Sequence, residues 1–329
     1  MQISRGAVAA GTPRVLNLTA PTPFFVACHA RYTLFHYPEI DSIAFSFTVF
    51  GWTVDVRWYG LAYLTAFIVG WLGLRARAKR PWSRIGKEQA DDVVFYSALG
   101  VILGGRLGYM FIYGYDQLLA RPLSVFEIWE GGMSFHGGLV GVLIAMWLYA
   151  RHIRQPFFVL TDAIAVWVPV GLGLGRVGNF INGELWGKPT SPDAPWAVLV
   201  RGPACQPGTE LQACHASQLY EAFLEGAVLF FVLWWFSRRP RPIMAVSGLF
   251  LALYGTFRIL VELVRIPDEG RYLAFGWLTK GMVLSAPMVV AGVALVVLAY
   301  RRGRDGDAQP VGGMDRAVEE GGATPRRLD

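Results

Sequence analysis

Phe157-Phe-Val-Leu-Thr-Asp-Ala-Ile-Ala-Val-Trp-Val-Pro-Val-Gly-Leu-Gly-Leu174 runs directly into Gly175-Arg-Val-Gly-Asn-Phe-Ile-Asn-Gly-Glu-Leu-Trp-Gly187. The first part is apolar and close to the roughly 20 residues that a membrane helix needs. The second sets Arg176, Asn179, Asn182 and Glu184 among glycines. Charged and amide side chains are costly at membrane depth, so they face a protein-lined cavity and mark function. Glycines beside them let the backbone bend and approach a ligand closely. The join therefore predicts a membrane helix that ends in a polar site at the membrane surface.

Composition agrees. Of 329 residues, 54% are hydrophobic and 16% charged, whereas soluble domains carry about a quarter charged residues. Seven segments are long and apolar enough to be read as spans: about Trp58–Leu74, Asp92–Tyr113, Met133–Ala150, Phe157–Phe180, Ser217–Phe236, Ser247–Val264 and Leu278–Tyr300. The expected fold is an all-α integral membrane protein of seven transmembrane helices. Ile43–Val54 is apolar but too short to span, and is expected at the interface.

Basic residues orient the chain. Arg75, Arg77, Lys79, Arg80, Arg84 and Lys87 follow the first span, Arg151 and Arg154 the third, Arg238, Arg239 and Arg241 the fifth, and Arg301, Arg302 and Arg304 the last. The opposite loops are poorer in Lys and Arg. The positive-inside rule then puts the N-terminus outside and the C-terminus in the cytoplasm. The net charge of +6 reflects these anchors, so no nucleic-acid partner is expected.

Residues 1–32 read as an N-terminal extension with no uninterrupted apolar core, because Pro13, Arg14, Pro21 and Pro23 break it; no cleaved signal peptide is expected. Residues 33–302 form the membrane domain, and 303–329 a Gly-, Asp- and Arg-rich disordered cytoplasmic tail. The loop from Glu184 to His215 falls outside and, with its prolines, is not helical throughout. Its Cys205 and Cys214 are compatible with a disulfide or with two free thiols.

Four polar clusters interrupt the apolar segments. Arg57-Trp-Tyr-Gly60 opens the first span, where Trp and Tyr suit the interface. Gly104-Gly-Arg-Leu-Gly-Tyr109 combines close helix packing with Arg106, which needs an anion or a carbonyl cluster. Gly131-Gly-Met-Ser-Phe-His-Gly-Gly138 presents His136 between glycines; it is reachable by a substrate or hydrogen-bonded to a neighbouring helix. In the fourth, the spacing of Tyr254, Arg258 and Glu262 puts them on one helical face. Arg176 and Arg258 come from different helices and would repel unless anions sat between them. Guanidinium forks suit bidentate phosphate, and Glu184 or Glu262 is positioned to hold them. A phospholipid head group is the simplest partner. No metal-ligand spacing, nucleotide loop or Ser/Cys nucleophile with a base is evident, so no cofactor is expected and any transfer needs a nucleophile from the substrate.

The motif 175–187, the clusters at 57–60, 131–138 and 254–262, Ser217-Gln-Leu-Tyr-Glu221 and Leu284-Ser-Ala-Pro-Met288 together resemble bacterial prolipoprotein diacylglyceryl transferase, in family order and across almost the whole chain outside its two ends. Ala216 stands where the family usually has proline, and Met282 where many members have glutamine. The resemblance implies a seven-helix inner-membrane enzyme that moves the diacylglyceryl group of phosphatidylglycerol to the lipobox cysteine thiol of a prolipoprotein, releasing glycerol phosphate. On this reading Arg176 and Arg258 bind the phosphate and His136 is the candidate base, with an orienting role as its alternative. Tyr59, Asn179, Asn182 and Gly187 shape the head-group pocket, and Tyr254 and Arg106 contribute to it. Glu184 and Glu262 orient the arginines. A transporter for an anionic solute and a non-catalytic lipid binder are the rival classes; the absence of an inverted repeat argues against the first.

Overall fold

A computed structural model describes residues 25–26, 34–38, 40–201, 211–267 and 272–303. Helices dominate: α1 Trp58–Ala78, α2 Lys87–Ile112, α3 Tyr115–Ala120, α4 Phe135–His152, α5 Phe157–Ile164, α6 Val168–Ile181, α7 Ser217–Glu221, α8 Leu229–Phe236, α9 Ala245–Glu262 and α10 Lys280–Arg302. A π-helical turn, Ala222–Val228, joins α7 to α8, so Ser217–Phe236 is one continuous span.

Five helices are long and apolar enough to cross a membrane: α1, α2, Ser217–Phe236, α9 and α10. The pair α5–α6 adds a sixth if its members form one span; they are bent by 45°. The sequence reading expected one unbroken helix here. Pro169 breaks it, because proline in the first turn of α6 has no N–H to give the carbonyl one turn back. Helix α4 overlies the remaining expected segment with 18 residues, but it is not among the helices long and apolar enough to cross, because its ends carry His136, Arg151 and His152.

Adjacent helices run antiparallel, and glycines set how close they come. Gly100 lies against Gly141, and Gly108 against Gly137. A Cβ at Gly100 would sit 2.8 Å from the Gly141 carbonyl oxygen, and one at Gly108 2.6 Å from the Gly137 Cα. Only glycine permits this backbone contact between α2 and α4. Trp71 and Arg75 of α1 meet Asp91 of α2, Tyr59 packs on Gly178 of α6, and Gly255 of α9 meets Ser285 of α10. The alternation brings the N-termini of α1, α4, α7 and α10 and the C-termini of α2, α6 and α9 to one end. At the other end Asp162 of α5 caps α9, accepting from the amides of Met244 (2.8 Å) and Ser247 (2.7 Å) and from the Ser247 hydroxyl (2.6 Å).

The expectation of an all-α protein is corrected by two small sheets. Strands β1 Phe25–Val26, β2 Leu34–His36, β5 Ala197–Arg201 and β6 Leu211–His215 form one, in the order β1-β2-β5-β6 with β2 and β5 parallel. The run Ala197-Val-Leu-Val200 favours extended backbone. Tyr37 clamps this sheet to α6. Its hydroxyl donates to the Ile181 carbonyl (2.7 Å), and its ring meets Phe180 and Trp186 edge-on at 5.4 and 5.2 Å. Cys214 on β6 is disulfide-bonded, so of the two cysteine readings the free thiol does not hold for it; Cys205 lies outside the described residues, as do 1–24 and 304–329. The second sheet is the hairpin β3 Ile43–Val49 and β4 Trp52–Arg57. Phe50 (φ 50°) and Gly51 (φ 83°) supply the left-handed turn that matches strand twist.

Candidate active site

Glu221, fully buried at the start of the span Ser217–Phe236, is the centre of the polar cluster. Its Oε1 pairs with Arg258 Nη1 of α9 (2.7 Å) and Arg265 Nη1 (2.9 Å), and its Oε2 pairs closely with Arg176 Nε of α6. The two arginines singled out from the sequence are thus brought together. The anion between them is a protein carboxylate that the sequence reading did not assign. Arg258 also pairs with Glu262 (2.5 Å), from which Arg265 is 3.8 Å away. The Thr279 hydroxyl donates to the other Glu262 oxygen (2.6 Å) and also caps α10 by accepting from the Met282 amide (3.1 Å). Met282 is itself buried, and its backbone takes part in the cap.

Among the described residues, three guanidiniums thus gather around Glu221 and Glu262. Glu225, one turn beyond Glu221 in the π-turn, is also fully buried, and neither of its oxygens has a hydrogen-bond partner among the described residues. Single π-turns inside membrane helices are a recurring device at functional sites. This one follows directly on Glu221.

Of the two glutamates expected to hold the arginines, Glu262 does so. Glu184 instead accepts from the side-chain amides of Asn179 (2.8 Å) and Asn182 (3.3 Å), and reaches Arg176 only through Asn179, whose Oδ1 is 3.5 Å from the guanidinium. Asn179 is buried, whereas Asn182 and Glu184 are exposed. Backbone from the same loop is fixed by α7: Gln218 donates to the Glu184 carbonyl (2.5 Å) and Ser217 to that of Leu185 (2.8 Å). Gly187 forms a β-bridge with Arg265, and its amide donates to the His215 carbonyl (2.8 Å). A Cβ there would lie 2.7 Å from the Val264 carbonyl oxygen and 2.8 Å from His215 Cβ. Gly187 is thus a backbone support for Arg265. His215 stacks on Trp196 and meets the Tyr220 hydroxyl at 3.3 Å; burial, aided by Lys188, pushes its pKa below the usual 6.5.

Tyr59 is half-buried over Gly178, two residues from Arg176, and its ring lies 5.2 Å from that of Tyr63. Tyr254, one turn before Arg258, stacks on Phe250 (5.8 Å). His136 lies exposed in the first turn of α4, its ring edge-on to Phe135. No hydrogen bond or ion pair among the described residues ties it to the arginine cluster. Arg106 is buried and spent on carbonyls: Val125 (3.2 Å), Ser124 (2.5 Å), Gly132 (3.4 Å) and, closely, Gly131. It holds the α2–α4 connection just before His136, the carbonyl-cluster alternative of the sequence reading, and makes no contact with Arg176 or Arg258.

Glu221, Glu225, Arg265 and Thr279 were missed. A signal existed for Arg265, because 258, 262 and 265 continue the helical face that begins at Tyr254. Glu221 closes one of the motifs that carry the family resemblance, but no role follows from that motif alone.

A model of the prolipoprotein diacylglyceryl transferase family matches residues 45–298. The phosphatidylglycerol–prolipoprotein diacylglyceryl transferase of Pseudomonas paraeruginosa is 50% identical over 267 residues, covering 81% of this chain and 96% of the relative. Those of Methylococcus capsulatus (51% over 268 residues, 81% and 98% covered) and Oleidesulfovibrio alaskensis (51% over 266, 80% and 95%) are equally similar. With a family model over residues 45–298 and about half of the aligned residues identical to those of these enzymes, the chain belongs to the prolipoprotein diacylglyceryl transferase family.

Proposed function

We propose that this protein is a multi-pass transferase that moves the diacylglyceryl group of phosphatidylglycerol to the lipobox cysteine of a prolipoprotein. Family membership supports the reaction class. The single structural observation in its favour is the Arg176–Glu221–Arg258–Arg265 cluster at one end of the bundle, which gathers three arginine forks in one place. A phosphodiester carries one negative charge, and arginine forks suit its oxygens.

In the reaction the cysteine sulfur attacks the glyceryl carbon, a C–S bond forms, and the C–O bond to phosphate breaks. The electron pair leaves on the phosphate oxygen, and the product is glycerol phosphate. Arg176 and Arg258 stabilise the second negative charge that develops there. Such stabilisation accelerates the step because it is stronger in the transition state than in the bound lipid. The thiol proton passes to a base, for which His136 is the candidate; a free thiol ionises only near pH 8.5, so a base assists. Tyr59, Tyr254 and the Asn179–Glu184–Asn182 set border the head-group site. Seven spans in a bacterial inner membrane, with the arginine cluster on the outer side and α4 as third span, complete the reading. The positive-inside pattern favours that orientation.

The test is transfer of labelled diacylglyceryl from phosphatidylglycerol to a lipobox peptide, with a Cys→Ser peptide as control. Label on the cysteine peptide alone, abolished in a folded Arg176→Ala enzyme, is expected; undiminished transfer in that variant refutes the role of the cluster. His136→Asn should remove the ionisation of the base from the pH–rate profile, and an unchanged profile refutes its assignment.

A further inference from the structure

The hairpin β3–β4 is two-faced. Cross-strand pairs Phe45–Val56, Phe47–Val54 and Val49–Trp52 share one face, while Ser46–Asp55 and Thr48–Thr53 share the other. The polar face is internally bonded: Ser46 Oγ donates to Asp55 (2.7 Å), and the two threonine hydroxyls are 3.5 Å apart. The apolar face is exposed, with the Phe45 and Phe47 rings stacked at 6.3 Å. At the tip, Phe50 is 98% and Trp52 78% exposed. A two-stranded hairpin is at best marginally stable in water, so something must cover that face.

Its position says what does. Strand β4 ends at Arg57 and α1 begins at Trp58 with no loop between, and the Trp58 amide closes the hairpin base on the Ser42 carbonyl (3.1 Å). The hairpin thus springs from the end of a membrane-spanning helix. Other exposed aromatic residues mark the same end of the bundle: Tyr113 and Trp129 between α2 and α4, and Phe275 and Trp277 ahead of α10. A collar of aromatic side chains at one level is the signature of the membrane–water interface.

We propose that the hairpin lies flat on the leaflet at the active-site end, its Phe45–Phe47–Val49–Trp52–Val54 face and Phe50 tip among lipid acyl chains, and its Ser46–Asp55 face in water. The anchor holds the first turn of α1, and hence Tyr59 on Gly178, at the depth of lipid head groups. It is independent of the transfer chemistry, since it rests on α1 being a span.

The test uses the full chain in nanodiscs of phosphatidylglycerol and phosphatidylethanolamine, with 4-trifluoromethylphenylalanine placed at position 47, 50 or 53 in turn. ¹⁹F line broadening is measured with a spin label on the lipid acyl chain and with a water-soluble gadolinium chelate. The ratio of lipid-label to chelate broadening should exceed unity at 47 and 50 and fall below it at 53. Chelate-dominated broadening at 47 and 50 overturns the proposal. So does shielding of 47 from both agents, which would mean that a protein, such as a second copy, covers the face.

Discussion

Replacing Glu221 by alanine removes the one carboxylate shared by three arginines. Arg176 and Arg265 lose close partners, and Arg258 keeps only Glu262. All three guanidiniums are largely buried, with Arg265 side-chain exposure at 9%. Breaking a buried pair from one side costs about 3–5 kcal/mol, because the other charge stays buried without its partner. For a chain of this size each kcal/mol lowers the midpoint by about 2–4 °C, so a fall of roughly 6–20 °C is expected. Glu221→Gln keeps the shape and one acceptor, and should fall by less, because a hydrogen bond to a neutral acceptor is worth about 0.5–1.5 kcal/mol. Both variants remove one negative charge from the cluster. Added sn-glycerol 1-phosphate should therefore restore the midpoint of Glu221→Ala more than it raises that of the wild type. The assay is thermal unfolding in detergent micelles, with and without this anion, beside transfer activity on the folded fraction. A midpoint within about 2 °C of wild type, far below the buried-pair cost, together with no differential rescue, would refute Glu221 as counter-ion.

Gly187→Ala has no room to relax, because its Cβ meets a backbone carbonyl at 2.7 Å. Overpacking of this kind costs about 1–3 kcal/mol, and the displaced Arg265 should lower transfer beyond the loss of folded protein; unchanged kinetics would detach the bridge from the site. Asp162→Ala unsatisfies two amides at the start of α9 and should cost about 2 kcal/mol, read as thermal stability with specific activity at permissive temperature retained. His215 has a folded pKa below 6.5, so below that value the unfolded chain binds the proton more readily than the folded one. The His215 contribution to stability is complete above pH 6.5 and is lost as pH falls through the folded value. The thermal midpoint should drop on acidification more in the wild type than in His215→Gln, and equal slopes would contradict this. Reducing the Cys214 disulfide should loosen β6 and the Gly187–Arg265 bridge that β6 supports through the His215 carbonyl, giving a lower midpoint with dithiothreitol; no change would show the sheet to be held by its packing alone.

Most helices were legible because about 20 apolar residues in a row have few alternatives, and Arg176, Arg258 and Glu262 stood out because charge is costly there. What escaped depended on neighbours distant in sequence. Glu221 shares the apolar helix Ser217–Phe236 with Glu225, and only the meeting of that helix with α6 and α9 makes it a counter-ion to Arg176 and Arg258. Arg106 called for an anion or a carbonyl cluster, and its partners are carbonyls 18 to 26 residues away; no side-chain pattern decides between the two. The break between α5 and α6 was marked by Pro169, but an apolar run with one proline also fits an unbroken kinked span. The hairpin alternation from Phe45 to Val56 was present in the sequence and masked by its overall hydrophobicity.

The counter-ion of the arginine cluster is built into the protein, and if the cluster binds the lipid phosphate as proposed, the site works as an exchanger of anions. When a head group is absent, Glu221 already satisfies the guanidiniums, so the resting enzyme has no bare positive pocket to capture stray phosphate from solution. On the proposed reading, an incoming head group competes with Glu221 for the arginine forks, and a departing product leaves arginines that are immediately paired again. Selectivity then rests less on the strength of attraction than on which anion arrives from the membrane already aligned with the forks, a condition that a lipid meets and a free ion does not.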